Sequence, residues 1–160
     1  MTTDLRQRAW DAASTVCDPE IPALTIVDLG ILRAVTPRGE TVDVDITPTY
    51  SGCPAMNMIA LDIETALARA GIVGRVRTVL SPAWTTDWMT EEGRRKLTES
   101  GIAPPPRGAG RRALFGHDIV ACPNCGSEDT EKLAEFGSTS CKALWRCKTC
   151  REPFDQFKCH

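Results

Sequence analysis

Long apolar runs are missing from this 160-residue chain: no stretch approaches the roughly 18 consecutive apolar side chains of a membrane-spanning helix. The opening segment, Met1 to Arg6, is too polar for a signal peptide, so the sequence predicts a cytoplasmic protein. Histidine is scarce. The two present, His117 and His160, both lie in the last third of the chain, which leaves no general base near any upstream cysteine in sequence. Neither is there a G-x-S-x-G elbow, a P-loop or a G-x-G-x-x-G turn. A surplus of one charge is also absent. The formal net charge is −2, with 10 basic against 14 acidic residues up to position 106 and 9 against 7 beyond it. That balance excludes the electrostatic footprint of a dedicated nucleic-acid binder, and a reading based on Arg107, Arg111 and Arg112 has little else behind it.

Cysteine, by contrast, is abundant and unevenly placed. Of eight, six (Cys122, Cys125, Cys141, Cys147, Cys150 and Cys159) fall in the last 39 residues. In a reducing compartment such clustering points to metal ligation or thiol chemistry before disulfides. Cys122-Pro-Asn-Cys125 and Cys147-Lys-Thr-Cys150 are two C-x-x-C knuckles 21 residues apart, room for one strand out and one back. Each knuckle presents two thiolates to one side of a tetrahedral ion, and Gly126 eases the turn after the first. The spacing predicts a four-cysteine zinc ribbon with a structural, fully ligated ion. The same ligand set would also serve an iron site or a redox dithiol pair. For a tail this short, metal binding is folding free energy. Cys141 reads as a small buried hydrophobe or a substitute ligand, and Cys159, His160 and His117 are further donors without an assigned role.

Ahead of the ribbon the pattern is α-β-β-α-β-α. Asp4 is placed to cap a helix whose apolar face is Leu5, Ala9, Ala12 and Val16. A hairpin follows, Ile31 to Val35 and Thr41 to Thr47, turning at Pro37-Arg38-Gly39. Its second strand alternates Val42, Val44 and Ile46, facing the core, with Asp43 and Asp45, facing water. Met56, Ile59, Ile63 and Leu67 mark a second helix closed by Gly71; a strand over Arg75 to Leu80 and a helix over Thr90 to Glu99 complete the set. The expected fold class is α+β, with helices packed on a short sheet over 1–103, a Pro/Gly linker over 104–112 and the ribbon over 113–160. The four tryptophans read as core or interface anchors.

Two local features in the first part carry chemistry. With Pro54 at the first helical position, Cys53 falls at the N-cap, where free N–H groups and the helix dipole favour a thiolate. Asp18-Pro19-Glu20 holds two carboxylates on a stiff turn, hard ligands that would suit an iron ion in transit if the fold brought them to Cys53. An N-cap cysteine packed in the domain and a solvated turn explain the same residues without chemistry.

The Asp18-Pro19-Glu20 turn, Val27-Asp28-Leu29-Gly30, and Thr47 through Cys53-Pro54 resemble the small domain of iron–sulfur assembly factors. Ser81 through Trp88, the proline linker, Gly137 through Leu144 and the terminal Phe154 to Cys159 resemble the PaaD-like proteins of phenylacetate degradation over essentially the whole chain. The resemblance implies a non-catalytic maturation subunit of the phenylacetyl-CoA 1,2-epoxidase system of aromatic compound degradation. Its partners would be the oxygenase and reductase subunits. Asp18, Glu20 and Cys53 would handle transient iron or a cluster, Cys122, Cys125, Cys147 and Cys150 would hold zinc, and Thr47 would shape the loop before Cys53. One thiol and two carboxylates do not enclose a cluster, so a homodimer, a partner's ligands or a small thiol is expected to complete it. The competing expectation is an adaptor that docks epoxidase subunits, with Cys53 structural.

Overall fold

The computed structural model describes residues 2–50, 52–106 and 119–158. Residues 107–112 of the expected linker, with Arg107, Arg111 and Arg112, and His117, Cys159 and His160 all lie outside the described residues. The chain divides into two compact units, Met1–Trp84 and Thr85–His160. Among the described residues they hold three α-helices and two small sheets, the expected α+β class.

In the first unit, helix α1 (Thr2–Ala13) starts ahead of Asp4, which sits in its first turn instead of capping it, and ends before Val16. The hydroxyls of Ser14 and Thr15 donate back to the carbonyls of Asp11 and Ala12, each at 2.8 Å. Such bonds offer the backbone an alternative to a further helical turn. Ala9 and Ala13 form the buried side of α1, while Leu5 and Ala12 are half-buried.

Strands β1 (Leu32–Arg38) and β2 (Thr41–Ile46) pair antiparallel through a turn at Gly39 and Glu40, later than expected. Gly39 has φ 66°, a conformation cheap only for glycine. Pro37 lies inside β1, an edge strand, where a missing N–H costs the sheet little.

Helix α2 (Ala55–Arg69) buries Met56, Ile59, Ile63 and Leu67. It closes with Gly71 at φ 70° while the N–H groups of Gly71 and Ile72 reach the carbonyls of Ala68 and Leu67 at 3.0 and 2.9 Å. Those two bonds are a Schellman cap. The cap hands the chain straight to β3 (Val73–Thr78), which therefore starts two residues before the expected Arg75 and lies parallel to β2. A Cβ at Gly74 would stand 2.7 Å from both Leu67 Cδ1 and Val42 Cγ2, so the crossover helix seats closely because this residue has no side chain.

Val42, Val44 and Ile46 are fully buried, as their alternation implies. The opposite face is not simply wet. Asp43 is only 3% exposed beneath three arginines, with Arg75 Nε at 2.7 Å, Arg38 Nε at 3.3 Å and Arg77 Nη1 at 3.9 Å. The Arg75 hydrogen bond leads the forces that hold its carboxyl below the usual range, against the opposing cost of burial.

The second unit contains α3 (Glu91–Glu99), capped by the Thr90 hydroxyl accepting from the Gly93 N–H at 2.9 Å. It also contains a four-stranded sheet of β4 (Ile102–Ala103), β5 (Thr130–Ala134), β6 (Lys142–Cys147) and β7 (Pro153–Phe157), in the order β4-β7-β6-β5. Ile102 and Ala103, grouped in the sequence reading with the first 103 residues, pair in parallel with Asp155 and Gln156. Both α3 and β4 thus fall in the unit that carries the ribbon. Its small core gathers Ala103, Val120, Ala143, Trp145 and Phe154 around Cys122 and Cys147.

Candidate functional site

The ribbon knuckles converge. Sγ atoms of Cys122, Cys125, Cys147 and Cys150 all lie within 4.8 Å of one another. Cys122 and Cys150 are 3.8 Å apart and Cys125 and Cys147 3.6 Å. Four thiolates at about 2.3 Å from a tetrahedral ion stand about 3.8 Å from each other, so the set fits a single metal ion.

The backbone prepares the sulfurs for it. Cys147 Sγ accepts from the N–H groups of Cys150 and Thr149, and these bonds, with help from Cys125, bring its thiol down to about 6 against the cost of burial. For Cys150, the Glu152 N–H pulls the thiol down, but burial and the neighbouring Cys147, Cys125 and Cys122 together push it up to about 12. One thiolate forms readily, whereas the cluster resists a full complement of negative charge without a cation. A bound divalent ion would supply that charge and tie the two knuckles together.

Both knuckles turn at a left-handed residue after their second cysteine, Gly126 at φ 76° and Arg151 at φ 66°. Cys141 is not part of the four-sulfur set: it is buried, with its Sγ 3.0 Å from Thr139 Oγ1, as a small core residue would be.

In the first unit, the loop from Ser14 to Ile31 is folded back on itself. Asp18 N–H donates to Leu24 O and Ile26 N–H to Val16 O, each at 2.9 Å, and Cys17 bridges Thr25. At its tip Asp18 Oδ1 accepts from the N–H groups of Glu20 and Ile21 at 2.8 and 2.9 Å, an Asx turn that orients the Asp18 carboxylate. Thr25 and Asp28 bond each other reciprocally, and Trp84 Nε1 donates to Leu29 O at 2.7 Å to pin the loop's end. Thr47, 2% exposed, donates its N–H to Ile31 O at 2.9 Å and carries the strand end into the Cys53 loop.

Cys53 is half-buried within the electrostatic reach of both carboxylates. The two carboxylates, distant from Cys53 in sequence, lie near enough to act on its charge, while the set of side chains gathered closely enough for one ion among the described residues is the four ribbon cysteines. The ionisation of Cys53 differs from the sequence expectation. Pro54, not Cys53, takes the N-cap position of α2, and Cys53 lies one residue outside the helix. Burial pushes the thiol up; the Ala55 N–H and the Tyr50 side chain pull it down, and Glu20 and Asp18 add to the rise. Where the helix-end reading favours the thiolate, the surroundings push the other way, because desolvation outweighs the two hydrogen bonds. Tyr50, the only tyrosine in the chain, was not visible as a partner in the sequence. Gly52 at φ 76°, between it and Cys53, is the local signal of a tight return.

Residues 6–80 match the family described as an iron-sulfur cluster assembly protein, and residues 107–158 match the PaaD zinc beta ribbon domain. An Escherichia coli (strain K12) protein, provisionally named as one of the subunits of 1,2-phenylacetyl-CoA epoxidase, is 50% identical over 153 residues, covering 94% of this chain and 90% of its own. The chain belongs to the PaaD family of phenylacetyl-CoA epoxidase subunits. A Bacillus anthracis domain of unknown function, DUF59, shares the fold of the first part of the chain at a TM-score of 0.56 and 24% identity, over 60% of this chain and 93% of its own. The PaaD family accounts for both halves of the molecule, an assembly-type domain and a cysteine ribbon. No helix among the described residues is long and apolar enough to cross a membrane.

Proposed function

We propose that this chain is a non-catalytic, cytoplasmic maturation subunit of a phenylacetyl-CoA epoxidase, passing iron or an iron–sulfur cluster to the oxygenase or reductase component. The observation that supports the reading is that Asp18 and Glu20 both act electrostatically on Cys53, two hard ligands in the surroundings of a soft one. Relatedness to a named epoxidase subunit supports the choice of client. Three side chains leave positions open for a client's ligands or for those of a second copy, which suits a cargo that must leave. The four-cysteine set, closed and half-buried, is read as zinc with a structural role.

The raised Cys53 thiol favours the second reading, an adaptor that docks epoxidase subunits while Cys53 merely packs. Co-expressing the epoxidase components with wild-type or Cys53→Ala chain separates the two. A maturation factor with Cys53→Ala leaves its client short of iron while keeping its own fold and ribbon metal. An adaptor variant leaves client iron and complex formation unchanged. Molecular mass with and without iron tests the second copy: a monomer at micromolar concentration in both states removes the homodimer.

A further inference from the structure

Beside the second knuckle lies an open hollow of about 380 Å³ lined by Arg146, Cys147, Lys148 and Arg151. Three of its four lining side chains are cations. Arg146 is paired with Glu131, and Lys148 Nζ stands 3.6 Å from Asp129 Oδ1. Arg151 has no ion-pair partner among the described residues.

The backbone at Arg151 makes its side chain informative. It is the non-glycine residue with positive φ among those described, at 66°, and the equivalent place in the first knuckle is glycine. Any side chain in that conformation is disfavoured relative to glycine, because its Cβ crowds the neighbouring carbonyl oxygen. The turn itself needs only glycine, so the geometry alone gives no reason for an arginine.

We propose that this hollow is an anion site at which the ribbon docks an acidic segment of a protein partner. The charge of the lining selects the ligand class. A guanidinium matches the two-oxygen face of a carboxylate, as the pair of Arg146 with Glu131 illustrates, while the Lys148 ammonium stands near Asp129 as a point charge. Arg151 supplies the third cation, which no carboxylate among the described residues pairs with. The hollow is open to solvent and would enclose little of a small ligand, which favours an extended chain presenting several carboxylates over a small molecule. Such a contact lends orientation and association rate more than affinity and weakens with salt. The proposal concerns the ribbon alone and does not depend on the role of Cys53.

The test is a titration of the full, metal-loaded, nitrogen-15-labelled chain with a synthetic hexaglutamate peptide, followed by amide shifts at low salt and again at about 0.3 M. Expected are saturable shifts centred on residues 146–152 that vanish at the higher salt. Arg151→Gly, which keeps the turn, should weaken binding about three- to fivefold, the scale of one exposed charge pair. Arg151→Lys should fall between, and Lys158→Gln, beyond the end of β7, should leave binding as it was. The proposal is overturned if Arg151→Gly binds the peptide as well as wild type. Loss of bound metal in that variant also overturns it, because Arg151 would then serve the thiolate cluster. Equal or stronger shifts of the same amides with inorganic phosphate, or with a short single-stranded oligonucleotide, would overturn the acidic protein segment in favour of a small-anion or nucleic-acid site.

Discussion

Gly126 and Arg151 are structural equivalents: each follows the second cysteine of its knuckle, and each holds a left-handed backbone, at φ 76° and 66°. The shared turn lets a backbone N–H reach back toward cysteine sulfur in the second knuckle, where Glu152 donates to Cys150. It also closes the first, where Gly126 N–H reaches Cys122 O at 2.8 Å.

The equivalence predicts opposite effects of substitution. Arg151→Gly should raise the stability of the metal-loaded chain by about 1 kcal/mol, and Gly126→Ala should lower it by about 1–2 kcal/mol. Chelator challenge with thermal melting reads both. Two changes of the same sign would mean that side-chain contacts, not backbone conformation, govern these positions.

Metal removal should unfold the ribbon and leave the first unit in place. The binding free energy of such a site in small modules is of order 10 kcal/mol, and the ribbon core around Trp145 is small. Amide spectra should show residues 119–158 collapsing toward random-coil positions after chelation, with residues 2–50 keeping their dispersion. Retained dispersion throughout would show that the ribbon stands without its ion.

Cys53 is expected to alkylate more slowly at pH 7.5 than an unhindered thiol, since its pKa lies above the ordinary 9.0. Asp18→Asn combined with Glu20→Gln should speed the reaction and move its pH midpoint down, because the two carboxylates add to the rise. The Asn side chain keeps an oxygen for the N–H groups of Glu20 and Ile21, so the turn survives. The sign for stability follows by linkage. A thiol raised in the folded state contributes stability that is complete below about 9, the unfolded value, and is lost as pH climbs through the folded value. An unchanged alkylation profile in the double variant would place the carboxylates out of reach.

Gly74→Ala should destabilise the first unit by roughly 1–3 kcal/mol, because the new methyl would meet Leu67 and Val42 at 2.7 Å. Denaturant unfolding measures it. A neutral result would show that α2 can lift away from β2 and β3 at little expense.

Much of this protein was legible in the sequence because it is local. The two C-x-x-C knuckles place their own sulfurs, since the geometry that turns four residues around an ion is contained in those four residues and the one that follows. Helix α2 was readable from its apolar period and from Gly71, and α3 from Thr90 and the acidic first turn. Start and stop positions were less readable. Ser14 and Thr15 ended α1 early by competing hydrogen bonds, and the Schellman cap advanced β3 by two residues. Only the tertiary structure decided the rest. Asp18 and Glu20 come within electrostatic range of Cys53 because the strand end at Thr47 is bonded to Ile31 at the end of the folded loop, and no spacing along the chain encodes that approach. Burial then set the sign of the Cys53 ionisation, reversing what a helix end alone would give, because desolvation depends on every element around a thiol. The same holds for Ile102 and Ala103: two residues beside a run of prolines became a strand because β7 had an open edge to receive them.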